Sequence, residues 1–192
     1  MFLVTPPEVF VEKNGFLAVE AEQFHAQEKT GVREWRRVED TAASGGAYLH
    51  LLPDTRVTHA DKLTHGENFT NDPGTAAVLS YRVHVSKPGR YYIWVRAYST
   101  GTEDNSIHVG LNGEWPESGR RIQFCEGKRQ WWWESRQRTE KEHCGVPGMI
   151  WLDFPAPGEH TVQFSMREDG FRFDQWLMTT TPDLPRPAGP QI

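Results

Sequence analysis

Apolar and polar residues alternate in short runs along almost the whole of this chain, and helical periodicity is nearly absent. The runs are FLAVEAEQF (16–24), GAYLHLL (46–52), AVLSYRVHV (77–85), GRYYIWVRAYS (89–99), NSIHVGLNG (105–113), GMIWLDF (148–154), GEHTVQFSM (158–166) and GFRFDQWLMTT (170–180). In AVLSYRVHV, Leu79, Tyr81, Val83 and Val85 share one face, while Ser80, Arg82 and His84 share the other. A period of two places successive side chains on opposite faces of a half-buried strand. Lys87-Pro88-Gly89 and Ala156-Pro157-Gly158 read as tight turns between paired strands. Strands recurring without intervening helices predict an all-β sandwich, a jelly roll. The chain has 192 residues, enough for one domain with a real core. The pattern places that domain at 16–180, after an N-terminal extension (1–15) and before a proline-rich linker tail (181–192).

The stretch CEGKRQWWWESRQRTEKEHC (125–144) departs from this economy. In an extended segment Trp131 and Trp133 point one way and Trp132 the other, so at least one indole must leave a simple two-faced strand. Exposed indoles beside arginines suit a flat, weakly polar ligand face, as sugars and nucleobases provide. Cys125 and Cys144 are the only cysteines. We read them as a disulfide closing a loop around the tryptophans in an exported protein, with two reduced, half-buried thiols as the alternative. Neither has the short C-x-x-C partner of a zinc site. The formal charge of −5 provides no global basic field, so nucleic acid is not an expected partner. Positive charge is local, at Lys128, Arg129, Arg136 and Arg138.

No run approaches the roughly eighteen apolar residues of a membrane-spanning helix. The opening MFLVTPPEVF lacks a basic n-region and does not read as an intact signal peptide, so export is dictated elsewhere or this is a piece of a larger protein. The segment 53–76 is the longest without a strand pattern, and loops of that length are functional or held over the end of a sandwich. It contains a weak glycosylation sequon at Asn68-Phe69-Thr70.

Glu20 and Glu22 lie two apart, on one face of a predicted strand, and Asp174 sits between apolar neighbours near the other terminus. If the first and last strands pair, the three carboxylates converge and suit calcium. Solvated glutamates with a salt-bridged aspartate satisfy the spacing equally well. The order of VEAEQF, SGGAYLHL, PGRYYIWVRAYS, a tryptophan-bearing loop, GEHTVQFSM and FRFDQWLM resembles the carbohydrate-binding modules of families 6 and 35, over about residues 16–180. The resemblance implies a galactose-binding-domain-like jelly roll with a structural calcium on Glu20, Glu22 and Asp174. It implies a sugar cleft at one end, walled by the Trp131–Trp133 segment. The C–H face of a pyranose lies against an indole and leaves its hydroxyls for polar partners.

At the position where those modules carry a sugar-binding asparagine, this chain has Arg172. A guanidinium fork suits carboxylate or sulfate oxygens, and with Arg136 and Arg138 it points to an anionic or sulfated polysaccharide, of the algal galactan type. Pairing of Arg172 with Glu168 or Asp169 is the plainer reading. Glu103, Asp104 and Asn105 are further sugar-binding candidates, although such a cluster also makes a turn. The remaining histidines are scattered and are assigned no metal. The expected function is a non-catalytic, monomeric carbohydrate-binding module tethered to the catalytic domain of a secreted polysaccharide-degrading enzyme. A jelly-roll polysaccharide lyase or glycoside hydrolase is the second reading, with Glu103, Asp104 and Glu134 as the loop acids. A protein-recognising adhesion domain is the third.

Overall fold

A computed structural model describes residues 6–191. Residues 1–5 and 192, within the expected extension and tail, lie outside the described residues. Two curled sheets face each other across one apolar core, as the alternation predicts. The first sheet takes β1 (Phe10–Val11), β3 (Ala26–Glu28), β6 (Val78–Val85), β8 (Ser106–Leu111), β9 (Ile122–Gln123), β11 (Arg136–Gln137), β12 (Val146–Pro147) and β14 (Gly158–Met166). The second takes β2 (Phe16–Glu20), β4 (Glu34–Glu39), β5 (Ala47–Leu52), β7 (Gly89–Tyr98), β10 (Trp131–Glu134), β13 (Trp151–Phe154) and β15 (Arg172–Thr179). No helix among the described residues is long and apolar enough to cross a membrane.

The alternation decides which side chains meet in the middle. Leu79, Tyr81, Val83 and Val85 of β6 are fully buried, as are Val162, Phe164 and Met166 of β14, which pairs antiparallel with it. From the second sheet come Ile93, Val95 and Ala97 of β7 and Phe173, Trp176 and Met178 of β15. Phe164 meets Phe173 at 4.9 Å and Trp176 at 5.5 Å between ring centroids, so aromatic contacts join the two layers. The first long strand pairs with the last, β2 antiparallel to β15, with Gln175 opposite Glu20.

Both ends of the chain depart from expectation. Residues 10 and 11 form an edge strand parallel to β6, and Glu12 accepts from the Ser86 N–H (3.0 Å) and hydroxyl (2.7 Å). The supposed extension is thus partly woven into the sandwich. The proline-rich tail lies on the second sheet: Trp133 Nε1 donates to Gly189 O (2.8 Å) and the Gln191 N–H to Gln175 Oε1 (3.1 Å). Proline removes donors from a chain but leaves its carbonyls free to accept, and the tail uses them.

The 53–76 loop is held over one end of the sandwich. Asn68 is buried; its amide donates to Lys62 O (2.9 Å) and accepts from the Thr64 N–H (2.8 Å), so the sequon asparagine is spent inside the loop. Below it His108 is fully buried, its Nδ1 accepting from the Arg121 N–H (3.1 Å) and its Nε2 facing Thr70 O (3.2 Å). Burial pulls the His108 ring down to about 3. An unfolded histidine protonates near 6.5, so the unfolded chain binds the extra proton first as pH falls. Stability from this residue is complete above pH 6.5 and drains away as pH drops from there toward 3. We predict that His108→Gln flattens the loss of stability between pH 6.5 and 4 by about 3 kcal/mol relative to the parent. Denaturant melts at stepped pH check this; parallel curves for the two proteins refute it.

Candidate functional site

The tryptophan segment forms β10, pairing antiparallel with β7 so that Trp131 stands opposite Tyr98 and Trp133 opposite Arg96. The expected split holds: Trp131 and Trp133 share the outer side of the second sheet, and Trp132 turns toward the core. Their fates differ. Trp133 is 2% exposed beneath the tail. Trp132 is half-buried, with the Arg186 guanidinium 4.4 Å above its ring and Gly127 packed against it. Gly127 has φ 64°, and a Cβ there would lie 2.2 Å from the indole, so only glycine fits. Trp131, also half-buried, is the one ring of the three that neither the tail nor Arg186 covers.

Trp131 is set in an aromatic corner. Tyr48 and Tyr98 meet it edge to face, at 5.2 and 5.5 Å between centroids. One register row runs Trp131, Tyr98, Arg172, His50 across β10, β7, β15 and β5, placing those side chains on one face. The Arg172 guanidinium stands 5.3 Å from the Tyr98 ring, with its Nε buried and unpartnered. It makes no ion pair with Glu168 or Asp169; Glu168 is taken by Arg167 (3.1 Å) and Asp169 by Arg33 (3.0 Å). Burial, reinforced by the Arg172 charge, pulls His50 down to about 4, so its ring is neutral at ordinary pH. His50 Nε2 is buried without a partner. The corner thus combines indole and phenol faces with an unengaged imidazole nitrogen and a guanidinium edge.

The loop carrying the wall is pinned twice. Cys125 and Cys144 form the expected disulfide, with a Cα separation of 5.4 Å. Lys128 reaches back under the loop, its ammonium donating to Ser99 Oγ (2.7 Å), Phe124 O (2.5 Å) and Gly101 O. Lys128 is therefore a fastener and not part of an exposed basic patch.

Several expected sugar contacts go elsewhere. Asp104 is buried and accepts from the Ser99 and Thr100 hydroxyls (3.0 and 2.7 Å) and from the Thr100 and Gly101 N–H groups, closing its own turn. Asn105 is 4% exposed against Gln123, and its N–H donates to Glu168 (2.9 Å). Glu103 is buried against Arg56. Arg136 is held by Glu126 (3.2 Å) and Glu134 (3.7 Å). Arg138 lines a different cleft, beside Arg167. Tyr48, Tyr98 and His50 complete the corner instead. Tyr48 and His50 carried a legible signal, alternation in GAYLHLL, that did not say which face was outside.

Glu20, Glu22 and Asp174 lie near one another, by a different backbone route than expected, without being gathered about one point. The strand ends at Glu20, a 3-10 turn (Ala21–Gln23) carries Glu22, and the β15 register shifts between Phe173 and Gln175 to re-aim Asp174. A Cβ on Gly45 (φ 59°) would lie 3.4 Å from Oε1 of both glutamates. Ser44 donates its hydroxyl to Glu20 (2.6 Å) and its N–H to Asp174 (2.9 Å), while Arg96 pairs with the other Asp174 oxygen. Burial, with the charges of Glu20 and Asp174 added, pushes Glu22 up to about 7; burial also pushes Asp174 up to about 7 against the pull of Arg96. Oε2 of Glu20 and of Glu22 is buried with no partner. Crowded, under-satisfied hard oxygens are the donor chemistry calcium takes. Among the described residues no three acidic, histidine or cysteine side chains already stand gathered about a common metal position. A cation would have to draw them in and share Asp174 with Arg96.

Two curled sheets over one core, with an aromatic corner on the outer side of the second, make a β-sandwich whose fold is like that of carbohydrate-binding modules. The chain belongs to the glycosyl hydrolase family 115 C-terminal domain family, whose model matches residues 9–185. It is 52% identical over 206 residues to Uncharacterized protein P23 of Formosa agariphila, covering 99% of this chain and 50% of that protein, so it spans about half the length of this relative. The fold is similar to a family 35 carbohydrate-binding module from Clostridium thermocellum (TM-score 0.52, 11% identity, 86% of this chain and 98% of that one). It is also similar to the Podospora anserina GH26-CBM35 β-(1,4)-mannanase (TM-score 0.53, 14% identity, 92% of this chain and 29% of that one). The resemblance read from the motif order is met in the fold.

Because the disulfide closes the loop that presents Trp131, its removal acts on both stability and the corner. Cys125→Ser/Cys144→Ser is predicted to lose about 3 kcal/mol. The chain has eight tryptophans, so the Trp131 emission is read as the difference between spectra with and without Trp131→Phe, and that difference is predicted to shift toward the red. Unchanged stability with an unchanged spectrum contradicts both expectations.

Proposed function

We propose that this domain is a non-catalytic polysaccharide-binding module of a secreted glycan-degrading enzyme, holding its ligand against Trp131. The observation that carries this reading is the corner itself: a partly open indole flanked edge-on by Tyr48 and Tyr98, beside Arg172 and His50, each of which has one buried nitrogen without a partner. A pyranose laid on Trp131 excludes water from its C–H face while its hydroxyls or an acidic substituent meet Arg172 and the His50 ring. Membership of a glycosyl hydrolase accessory-domain family and a fold similar to a family 35 module support it. The guanidinium in the corner favours an anionic or sulfated polysaccharide, of the algal galactan type, over a neutral one. Tethering needs only millimolar-to-micromolar affinity, roughly 4–8 kcal/mol, because it acts by raising effective concentration.

The lyase or hydrolase alternative needs free acids, and the loop acids are engaged: Glu103 by Arg56, Asp104 by its own turn, Glu134 beside Arg136 and Arg186. Unsaturated products or new reducing ends on incubation with candidate polysaccharides would establish it instead. A structural calcium on Glu20, Glu22 and Asp174 belongs to the same proposal. It would neutralise the repelling carboxylates and clamp β2 and the following turn to β15.

On a polysaccharide array or affinity gel, wild type is predicted to bind in at least one anionic lane, and Trp131→Ala to weaken that binding more than tenfold while keeping the fold. Arg172→Ala is predicted to weaken anionic lanes selectively. Trp133→Ala is predicted to lose about 3–5 kcal/mol of stability instead, as a buried ring. Binding that survives Trp131→Ala moves the site elsewhere. For the metal, calcium at a hundred times its Kd is predicted to raise Tm by roughly 5–10 °C. A chelator should reverse this while leaving carbohydrate affinity largely intact. Glu22→Gln should abolish the calcium response without lowering the metal-free Tm. Identical melts with calcium and with chelator would remove the metal from the account.

A further inference from the structure

Away from Trp131, a cleft of about 340 Å³ opens where the 53–76 loop meets the 99–105 loop. Its walls gather guanidinium groups. Arg56 and Arg167 are 9% and 8% exposed, and Arg138 stands half-buried at the rim. Arg121 (φ 57°) is not among the lining residues; its charge acts on Arg138 and Arg167 from nearby, with the carboxylates of Glu117 and Glu140 opposing it. Two carboxylates answer the three arginines that line the cleft. Glu103 pairs with Arg56, and Glu168 with Arg167 at 3.1 Å. The second Glu168 oxygen is already filled by the Asn105 N–H and the Ser106 hydroxyl, each at 2.9 Å. Among the described residues Arg121 has no carboxylate partner, and the Arg138 guanidinium meets only the His143 ring, Nη2 to Nδ1 at 3.1 Å. The Nε atoms of Arg56 and Arg167 are buried with no partner. Phe69 lines the cleft, with the Arg167 guanidinium 5.3 Å from its ring.

The three arginines that line the cleft face two carboxylates, an excess of one positive charge in a partly desolvated space. Burial and the neighbouring arginines both work against the charged form of Arg121 and of Arg167. An oxyanion relieves that repulsion and satisfies the open N–H groups at once. The chain as a whole carries −5, so the attraction is local to this cleft and falls off within about 10 Å at ordinary salt.

We propose that this cleft is a second binding subsite, specific for an oxyanion substituent, a sulfate ester or a carboxylate, carried by the polysaccharide. Arg138 is its free donor, Arg56 and Arg167 its buried frame, and Phe69 an apolar surface for the sugar ring, while Arg121 adds positive charge from nearby. The saccharide part rests on the polysaccharide-binding reading; the oxyanion part stands without it.

The test uses sodium sulfate against sodium chloride at matched ionic strength in thermal melts. Affinity gels of dextran sulfate, polygalacturonate and neutral dextran complete it. Arg121→Gln/Arg138→Gln is the main variant and the single rim substitution Arg138→Glu the second, both checked for wild-type circular dichroism. Sulfate is expected to raise the wild-type Tm more than chloride does, and the double variant to lose that difference. Retardation of the double variant on the charged gels is expected to fall about tenfold, and of Arg138→Glu at least as far. The gel that shows the greater loss identifies sulfate or carboxylate as the preferred anion. Trp131→Ala is expected to keep the sulfate-dependent Tm rise even where it loses polysaccharide, which separates failure of this subsite from failure of the Trp131 wall. Equal sulfate responses in wild type and both variants, or undiminished binding to both charged gels, overturn the proposal.

Discussion

Strand β15 carries the connections on which everything else is built. It pairs with β2, β5 and β7, so each neighbouring segment of the second sheet takes its register from it. Its inward residues Phe173, Trp176 and Met178 are fully buried, and a strand so engaged cannot slip by one residue without turning that row to solvent. The register shift between Phe173 and Gln175 then sets two features at once. It leaves Arg172 in the row with Tyr98 and His50, and turns Asp174 toward Arg96 and the glutamates. Arg96 joins the two, since its guanidinium pairs with Asp174 and stands 5.4 Å from the Trp131 ring. The acidic cluster and the aromatic corner are therefore neighbours in one electrostatic chain.

The alternation of small blocks of sequence was a dependable guide to the sheets because burial on one face leaves a period-two imprint. All eight alternating runs contain a strand, and β6 and β14 match theirs almost to the residue. The missed strands are those lacking that imprint. In β4, Trp35 is buried but Arg36 and Arg37 follow it, both exposed at the sheet edge. β1 and β9 are two residues each, too short for any period to show. The bulge at Asp174 is likewise silent, because it is a consequence of how two strands twist together.

Site residues were legible in type more than in placement. The three tryptophans announced an aromatic surface, and parity correctly divided them between two sides. Nothing local to WWW indicates that a tail more than fifty residues downstream returns to cover Trp133. Asp104 and Asn105 illustrate the complementary error: short polar side chains in a loop satisfy the loop's own N–H groups before any ligand's. Arginine counts were equally ambiguous, since Arg136 is matched by carboxylates while Arg138 is not. Only the folded arrangement separates the two.

The Lys128 ammonium, lodged among oxygens of Ser99, Gly101 and Phe124, has a consequence for how the corner recognises anything. Together with the Cys125–Cys144 link it leaves the segment before Trp131 little freedom to lose. A surface already frozen in shape spends none of its interaction energy on becoming ordered, so even a few weak contacts register as measurable affinity. It also has little capacity to mould itself around a poorly shaped guest. Discrimination at such a surface comes from misfit.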